Sequence, residues 1–435
     1  MTTQTVGLVS VAVPWFDAET AARRLTETRQ ALETSFTVVG PDRLIMTADD
    51  LEDVIPSLAQ VDVLVLQIGT FPDGNAPARL AEALRVPIVV HSLPEPSLDR
   101  GVPLNSLCGA NMSTFTLNAL EHPHSFVHAD PTVGDDMARL AQHVHAGLSL
   151  AGLRGQRLSL VGFRAPGFYP CAFDELLLRR WLGVRIEHID LHEIFTRLDQ
   201  GLRSKARQDR FPTIEGGELS NEAIEWIERY YGALSGLLSD GAHDLIAIKD
   251  WPEIEHFDDA VPGGFWPALG WAQDDGVDVA PEGDVNGAVT MRIASDISVD
   301  PPFFADISAF DEKTSTFTLW HYGGATRLAR DPDEIRFGAE GREVEFTLKP
   351  GPAHLIRLGL HEGGLRMLSI AVQILDERVT LRRAGATART EAPAGEIVRH
   401  MLDNGWEHHV TLAYGDLAEA VRAFAKQAGI PLTEF

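Results

Sequence analysis

Short runs of Val, Ile and Leu recur through the first half of the chain with scarcely a polar residue inside them, and this restricts the fold more than any other feature. Residues 61–68 read VDVLVLQI and residues 86–90 read VPIVV. A strand that is apolar on both faces must be covered on both, which calls for a parallel sheet between two layers of helix. Residues 6–13 supply another such strand, while residues 19–34, 76–84 and 133–150 carry the periodicity of helices. The pattern then restarts. A strand at 156–162 leads through a loop at 163–170 into a helix at 173–182, with Gly183 placed to stop it. A strand at 184–189, a long helix at 222–238 and a strand at 243–248 complete the second run.

Past roughly residue 290 the texture changes. Strand-like stretches at 314–321, 343–349, 353–358 and 365–374 follow with little helix between them, punctuated by Gly323–Gly324, Pro350–Gly351 and Gly363–Gly364. That pattern fits an antiparallel sheet or barrel. A closing helix takes Asp416 as its N-cap, sets Leu417, Ala420, Val421 and Phe424 on one face, and ends at Gly429 and Pro431. At 435 residues the chain exceeds what one core organises. The expected fold is α/β, with two doubly wound, Rossmann-like domains over 1–152 and 153–292 and a β-rich, barrel-like antiparallel domain over 293–435.

The formal net charge of −26 repels phosphate backbones and anionic bilayers, which argues against nucleic acid and membrane as partners. No stretch approaches the ~20 apolar residues of a membrane span. Cys108 and Cys171 are the only cysteines, sit in no CxxC or zinc-ligand spacing, and fit a reducing compartment. The N-terminal apolar run lacks a preceding basic segment and breaks at Pro14, so it reads as a strand rather than a signal peptide. The cytoplasm is the expected location.

Five stretches carry candidate chemistry. GFRAPGF, Gly162–Phe168, follows a strand where phosphate loops occur, yet it has neither the GxGxxG nor the Gly-Lys-Ser/Thr spacing, and tight turns account for its glycines. PEGDVNGAVT at 281–290 carries Glu282 and Asp284 either side of a glycine just before a helix, where acids are favoured in any case. PPFFADIS at 301–308 puts Asp306 after an apolar run, where a carboxylate needs a partner or a metal. His321 ends the strand-like FTLW, and GWEHHVTLAYGD at 405–416 sets His408 and His409 before an alternating strand, so the two rings are expected on opposite faces. Two carboxylates and an imidazole together make a mixed O/N donor set, suited to Mn²⁺, Co²⁺ or Mg²⁺.

On these residues the chain resembles the L-fucose isomerase/L-arabinose isomerase family: Glu282-Gly-Asp-Val-Asn286-Gly287, Phe304-Ala305-Asp306 and His409-Val410-Thr411-Leu412 follow its three metal-ligand segments in order. The stretch GFRAPGFYPCAFDELLLRRWLGVRIEHIDL also looks like the opening of its middle domain. The resemblance implies an aldose–ketose isomerase of carbohydrate catabolism that works through an ene-diol, with a divalent metal, Mn²⁺ foremost, held by Glu282, Asp306 and His409. Glu282 and Asp306 would share the proton transfer, and His409 would be fixed by a hydrogen bond from its second ring nitrogen. His321, Lys249 and Trp251 are the implied substrate contacts, the last two because IKDWPE ends a strand where α/β pockets form. His321 matches a ligand in the arabinose branch and a non-ligand in the fucose branch, and Asp306 matches the fucose branch. A homo-oligomer is implied as well, often a hexamer, with a neighbouring subunit closing the pocket.

The sugar stays open at this point among a deoxyhexose, a pentose, a tetrose and a sugar bearing an anion such as a sulfonate; Arg164, Arg327 and Lys249 are the cations that would meet the last. Two rival readings share the same residues. One is a non-catalytic sugar-binding protein, and the other a glycoside-processing enzyme with Glu282 and Asp306 as acid and base.

Overall fold

The computed structural model describes residues 4–99, 101–201, 220–241, 245–256, 264–338 and 343–435. Contacts divide the chain into two compact units, Met1–Arg154 with Glu419–Pro431, and Gly155–Ala418 with Leu432–Phe435.

In the first unit five strands, β1 (Thr5–Val11), β2 (Thr37–Val39), β3 (Val63–Ile68), β4 (Ile88–Ser92) and β5 (His124–His128), form a parallel sheet in the order β2-β1-β3-β4-β5. The continuous apolar runs divide by alternation between two cores. Val6, Leu8, Val63, Val65 and Val89 face one side with Leu25, Leu140 and Val144 of the helices. Val9, Leu64, Leu66, Ile68 and Val90 face the other with Leu80 and Leu117. Each such side chain contributes roughly 1.5–3 kcal/mol by leaving water. Asp17 caps helix Ala18–Leu32 by accepting from the Thr20 amide. Two strands go beyond the sequence expectation: β2 has only three residues, and β5, HSFVH, interrupts its apolar pattern with histidines.

The second unit opens with a four-stranded parallel sheet of order β7-β6-β8-β9, made by β6 (Arg157–Val161), β7 (Arg185–Ile189), β8 (Leu245–Ile248) and β9 (Asp278–Ala280). Residues 243 and 244 of the strand expected at 243–248 lie outside the described residues. Helix Val285–Ile297 follows β9 and packs on β8, β14 (Gly351–His361) and β17 (His409–Tyr414).

Those last two strands belong to a nine-stranded sheet with β10 (Phe303–Asp311), β11 (Thr316–His321), β12 (Arg336–Phe337), β13 (Val344–Thr347), β15 (Gly364–Ile374), β16 (Ala384–Thr390) and β18 (Leu432–Glu434). Its order is β12-β13-β16-β11-β10-β17-β14-β15-β18, with β15 also paired to β16. Six antiparallel strands, β16-β11-β10-β17-β14-β15, therefore close on themselves around a core of Phe303, Phe317, Leu319, Leu355, Ile370 and Leu412. The sheet as a whole is mixed rather than antiparallel, because β13 joins β16 and β18 joins β15 in parallel. Helix Ala394–Asp403 interrupts a region expected to hold little helix, and the closing helix, Ala418–Ala428, starts two residues past Asp416.

Candidate active site

The first acidic segment owes its shape to two successive left-handed residues. Glu282 has φ +61° and Gly283 φ +66°, between the end of β9 and helix Val285–Ile297. A Cβ on Gly283 would lie 2.2 Å from the Phe163 carbonyl oxygen, so only glycine fits there. Glu282 is a non-glycine in this region and is held by its surroundings. Its N–H donates to Asp250 Oδ1 at 2.8 Å, the Gly283 N–H donates to Ile248 O at 2.9 Å, and its own carbonyl accepts from Ala165 at 3.4 Å. The carboxyl ends of β6, β8 and β9 thus converge on one turn, where open α/β sheets place their sites.

Asp284, fully buried, is the N-cap of the helix and accepts from the Gly287 amide at 2.8 Å. Gly287 is required by the same packing, since a Cβ would stand 2.7 Å from Asp284 Oδ2 and from the Phe304 ring. Arg357 of β14 donates to both Asp284 oxygens, at 2.6 and 3.1 Å, and His409 Nδ1 lies 2.8 Å from Oδ2. Burial would lift the Asp284 carboxyl, but the Arg357 guanidinium and His409 more than reverse this and hold it well below the usual carboxylate range. His409, also buried, is raised well above an ordinary imidazole: burial opposes its charge, and the bond to Asp284, with Cys171 and the Glu282 carboxylate close by, outweighs burial.

Asp306 of β10 sits directly opposite His409 of β17 in the antiparallel ladder. Phe303, Ala305, Val410 and Leu412 point into the barrel core, so Asp306 and His409 share the other face with Phe304, whose ring is 4.4 Å from that of His409. His409 Nε2 lies 2.8 Å from Glu282 Oε2 and 3.8 Å from Asp306 Oδ1. Burial, with the Glu282 charge adding and His409 opposing, pushes the Asp306 carboxyl up to about 6. Around His409 the ligand-type atoms fall into two overlapping groups, Cys171 with Glu282 and His409, and Asp306 with His408 and His409, each within 4.8 Å.

The expectation for His408 is corrected. β17 begins at His409, so the alternation that would turn His408 to the opposite face does not apply to it. The two rings lie 3.8 Å apart, and His408 Nε2 is 4.0 Å from Glu282 Oε2. Burial first, then the neighbouring His409, lowers His408 to about 4.

The remaining residues singled out by sequence fall at different distances from this centre. Trp251 stacks on Phe168 at 5.7 Å, and Phe168 meets the His408 ring edge-on at 6.3 Å, which makes an aromatic wall. His321 is buried among Trp266, Phe304 and Tyr322, 6.2 Å from the His409 ring, and burial holds it well below its ordinary value. Lys249 is nearby, but its ammonium is bound to Glu253 at 2.5 Å. Arg164 packs by its Cα against Gly283, and its guanidinium lies over the rings of Phe163 and Tyr169; it makes no ion pair among the described residues. Arg327 contributes its amide to Asp274 on the 3₁₀ turn Thr326–Leu328.

Sequence reasoning missed the roles of Asp250, Cys171 and Arg357, and took Asp284 only for a helix-start acid. Arg357 had a signal: it is the one charge in the strand sequence GPAHLIRLGLH, where an unpaired guanidinium would be prohibitive. Cys171 approaches His409 Nδ1 at 4.0 Å, and burial, followed by the Asp284 charge, raises its thiol and keeps it protonated.

No protein-family model matches the chain. Over nearly its whole length it is similar to sulfoquinovose isomerases: that of Alkalicoccus urumqiensis at 24% identity over 447 residues, 99% of each chain. The enzyme of Priestia aryabhattai is 25% identical over 96% of each, and that of Clostridium sp. (strain MSTE9) is 26% identical over 97% of this chain and 96% of that one. Among solved structures, a periplasmic solute-binding protein of Actinobacillus succinogenes 130z with bound D-allose matches at 10% identity over 68% of this chain and 92% of that one, with a TM-score of 0.17.

Proposed function

We propose that this chain, an isomerase acting on a sugar, interconverts sulfoquinovose and the corresponding ketose with a divalent ion held by Glu282, Asp306 and His409. The sugar-isomerase part rests on relatives that match from end to end. The observation that carries the ion is a set of orphaned atoms. Among the described residues Glu282 Oε2, Asp306 Oδ1 and His409 Nε2 are buried with no well-aligned hydrogen bond, the first and last of them meeting only as an ion-pair contact at 2.8 Å. Two carboxylates and an imidazole fit Mn²⁺ first, with Co²⁺ and Mg²⁺ as alternatives. When bound, such an ion supplies positive charge against the negative charge that develops as an aldose passes to an ene-diol.

The chain's own groups do the rest. With Nδ1 committed to Asp284, His409 turns Nε2 toward the two carboxylates, and an ion bound there would take the place of the proton this imidazole otherwise carries. Glu282 and Asp306 divide ligation and proton transfer, one taking the proton from the carbon beside the carbonyl and the other managing its delivery to the neighbouring carbon or oxygen. Trp251 and Phe168 offer apolar surface to a sugar ring, His321 lies buried beside Phe304 and His409, and Arg164, on the loop that abuts Glu282, is our assignment for the sulfonate. Lys249 stays a lesser substrate contact because Glu253 already occupies it. We further infer a cytoplasmic homo-oligomer, hexameric as in much of the fucose isomerase family, built from the three domains read in the sequence, with the pocket closed at a subunit interface. For the described residues, no helix is long and apolar enough to cross a membrane.

The test is ketose formation from sulfoquinovose followed by NMR, with Mn²⁺ present, after EDTA, and after Mn²⁺ is restored. The expected outcome is loss with EDTA and recovery with Mn²⁺. Ketose formation indifferent to EDTA would remove the ion from the reading, EDTA-resistant hydrolysis of a sulfoquinovose glycoside without ketose formation would favour the carboxylate-pair reading, and affinity without turnover the sugar-binding one.

A further inference from the structure

A chain of alternating buried charges runs behind the candidate site. Asp284 accepts from Arg357, whose guanidinium also lies in the field of Glu407; Glu407 in turn is 3.7 Å from Arg366. All four side chains are nearly inaccessible. Arg366 donates to the carbonyls of Asn404 and Gly405 and lies 3.9 Å over the Trp406 ring, and Glu407 accepts from the Leu360 amide at 3.0 Å. The segment that leads into His409 is therefore gripped by β14 and β15, and the imidazole itself is gripped by Asp284.

Arg357 is the member that faces both ends. Asp284 Oδ1 takes the Gly287 amide and one Arg357 nitrogen, and Oδ2 takes the other Arg357 nitrogen and His409 Nδ1. A carboxylate with two lone pairs on each oxygen has no freedom left to rotate under that load. Rotation of Asp284 would carry His409 with it, and Nε2 would leave the two carboxylates.

We propose that Arg357 is a positioning residue of this site: it fixes Asp284, and through it the His409 ring, so that Nε2 meets Glu282 and Asp306. The inference rests on the metal-dependent reading above. It predicts that Arg357 governs the affinity for the ion although it touches neither the ion nor the sugar, since partners of this kind are worth about 10- to 100-fold in metal affinity. A two-pronged grip is needed, so a lysine, which keeps the charge but not the fork, is not a sufficient replacement.

The experiment is Mn²⁺ titration of the metal-stripped full chain by calorimetry for the wild type, Arg357→Met and Arg357→Lys, with melting temperatures alongside. Weaker Mn²⁺ binding by about 10- to 100-fold in folded variants is expected, with kcat recovering as Mn²⁺ is raised and KM for the sugar unchanged. Wild-type affinity in a folded variant would overturn the inference. If Arg357→Met does not fold, Arg357→Lys decides by the same criterion. Failure of the wild type itself to bind Mn²⁺ would remove the metal reading and this inference with it, whereas wild-type binding with unaffected variants removes the inference alone.

Discussion

Asp250 holds Glu282 by the backbone: the carboxylate at the end of β8 accepts the Glu282 N–H at 2.8 Å and stabilises a residue at φ +61°. The side chain of Asp250 never needs to touch a substrate to matter, because it decides where the Glu282 carboxylate stands. Asp250→Ala is expected to lower kcat by about 100-fold while the chain stays folded, as misplacement of a reacting group by ~1 Å does. Steady-state kinetics alongside circular dichroism check this, and an unchanged kcat would detach Asp250 from the site.

Removal of either carboxylate should be more severe. Glu282→Gln and Asp306→Asn keep shape and hydrogen-bonding capacity but remove a charge and a proton acceptor. A fall in turnover of about a thousandfold or more is expected for each, with Mn²⁺ binding weakened in parallel. A variant that retains near-normal rates would show that its residue has no part in the chemistry.

On the assignment proposed above, Arg164 would meet the anion and take no part in the chemistry. Arg164→Ala should raise KM for sulfoquinovose by about 10- to 100-fold, the worth of a charge-assisted hydrogen bond, with little change in kcat. Weak turnover of glucose, which lacks the sulfonate, should be unaffected by the same substitution. Equal losses on both sugars would refute the assignment.

The first unit should be acid-labile for a reason apart from catalysis. His91 is fully buried, and desolvation lowers it to about 4 although its Nε2 bonds the Ala129 carbonyl. The unfolded chain takes up a proton near pH 6.5 and the folded chain does not until about 4, so stability is lost as pH falls through that window. The full effect is about 3 kcal/mol. Urea midpoints measured between pH 7 and 4.5 should therefore drop more steeply for the wild type than for His91→Gln, and identical slopes would contradict the account.

Much of this site is legible without coordinates because burial makes chemistry conspicuous. Asp306 after Phe303-Phe304-Ala305 and His409 before Val410-Thr411-Leu412 are polar groups in apolar strands, and each announces that it has a partner. The partners themselves are harder to read. Asp284 looks like any acid at a helix start, since the cap and the grip on His409 use the same carboxylate. Arg357 reaches Asp284 from 73 residues away and Cys171 reaches His409 from 238, and nothing local records such a distance. His408 misled because the strand starts one residue later than its sequence suggests. The helix Ala394–Asp403 was hidden by the strands either side of it, and β2 by its brevity.

Closure of the six strands also has a bearing on how this protein can vary. A strand at a sheet's margin can slide by one position against a single neighbour, but β10 and β17 each have neighbours on both sides, and the ring returns to its start. Sliding β17 by one residue would bury Thr411 where Leu412 belongs and swing His409 into the oily interior. The spacing between Asp306 and His409 is thus indexed like teeth on meshed wheels. Lineages are free to lengthen the connecting loops, while one inserted residue inside either strand would disarm the enzyme outright.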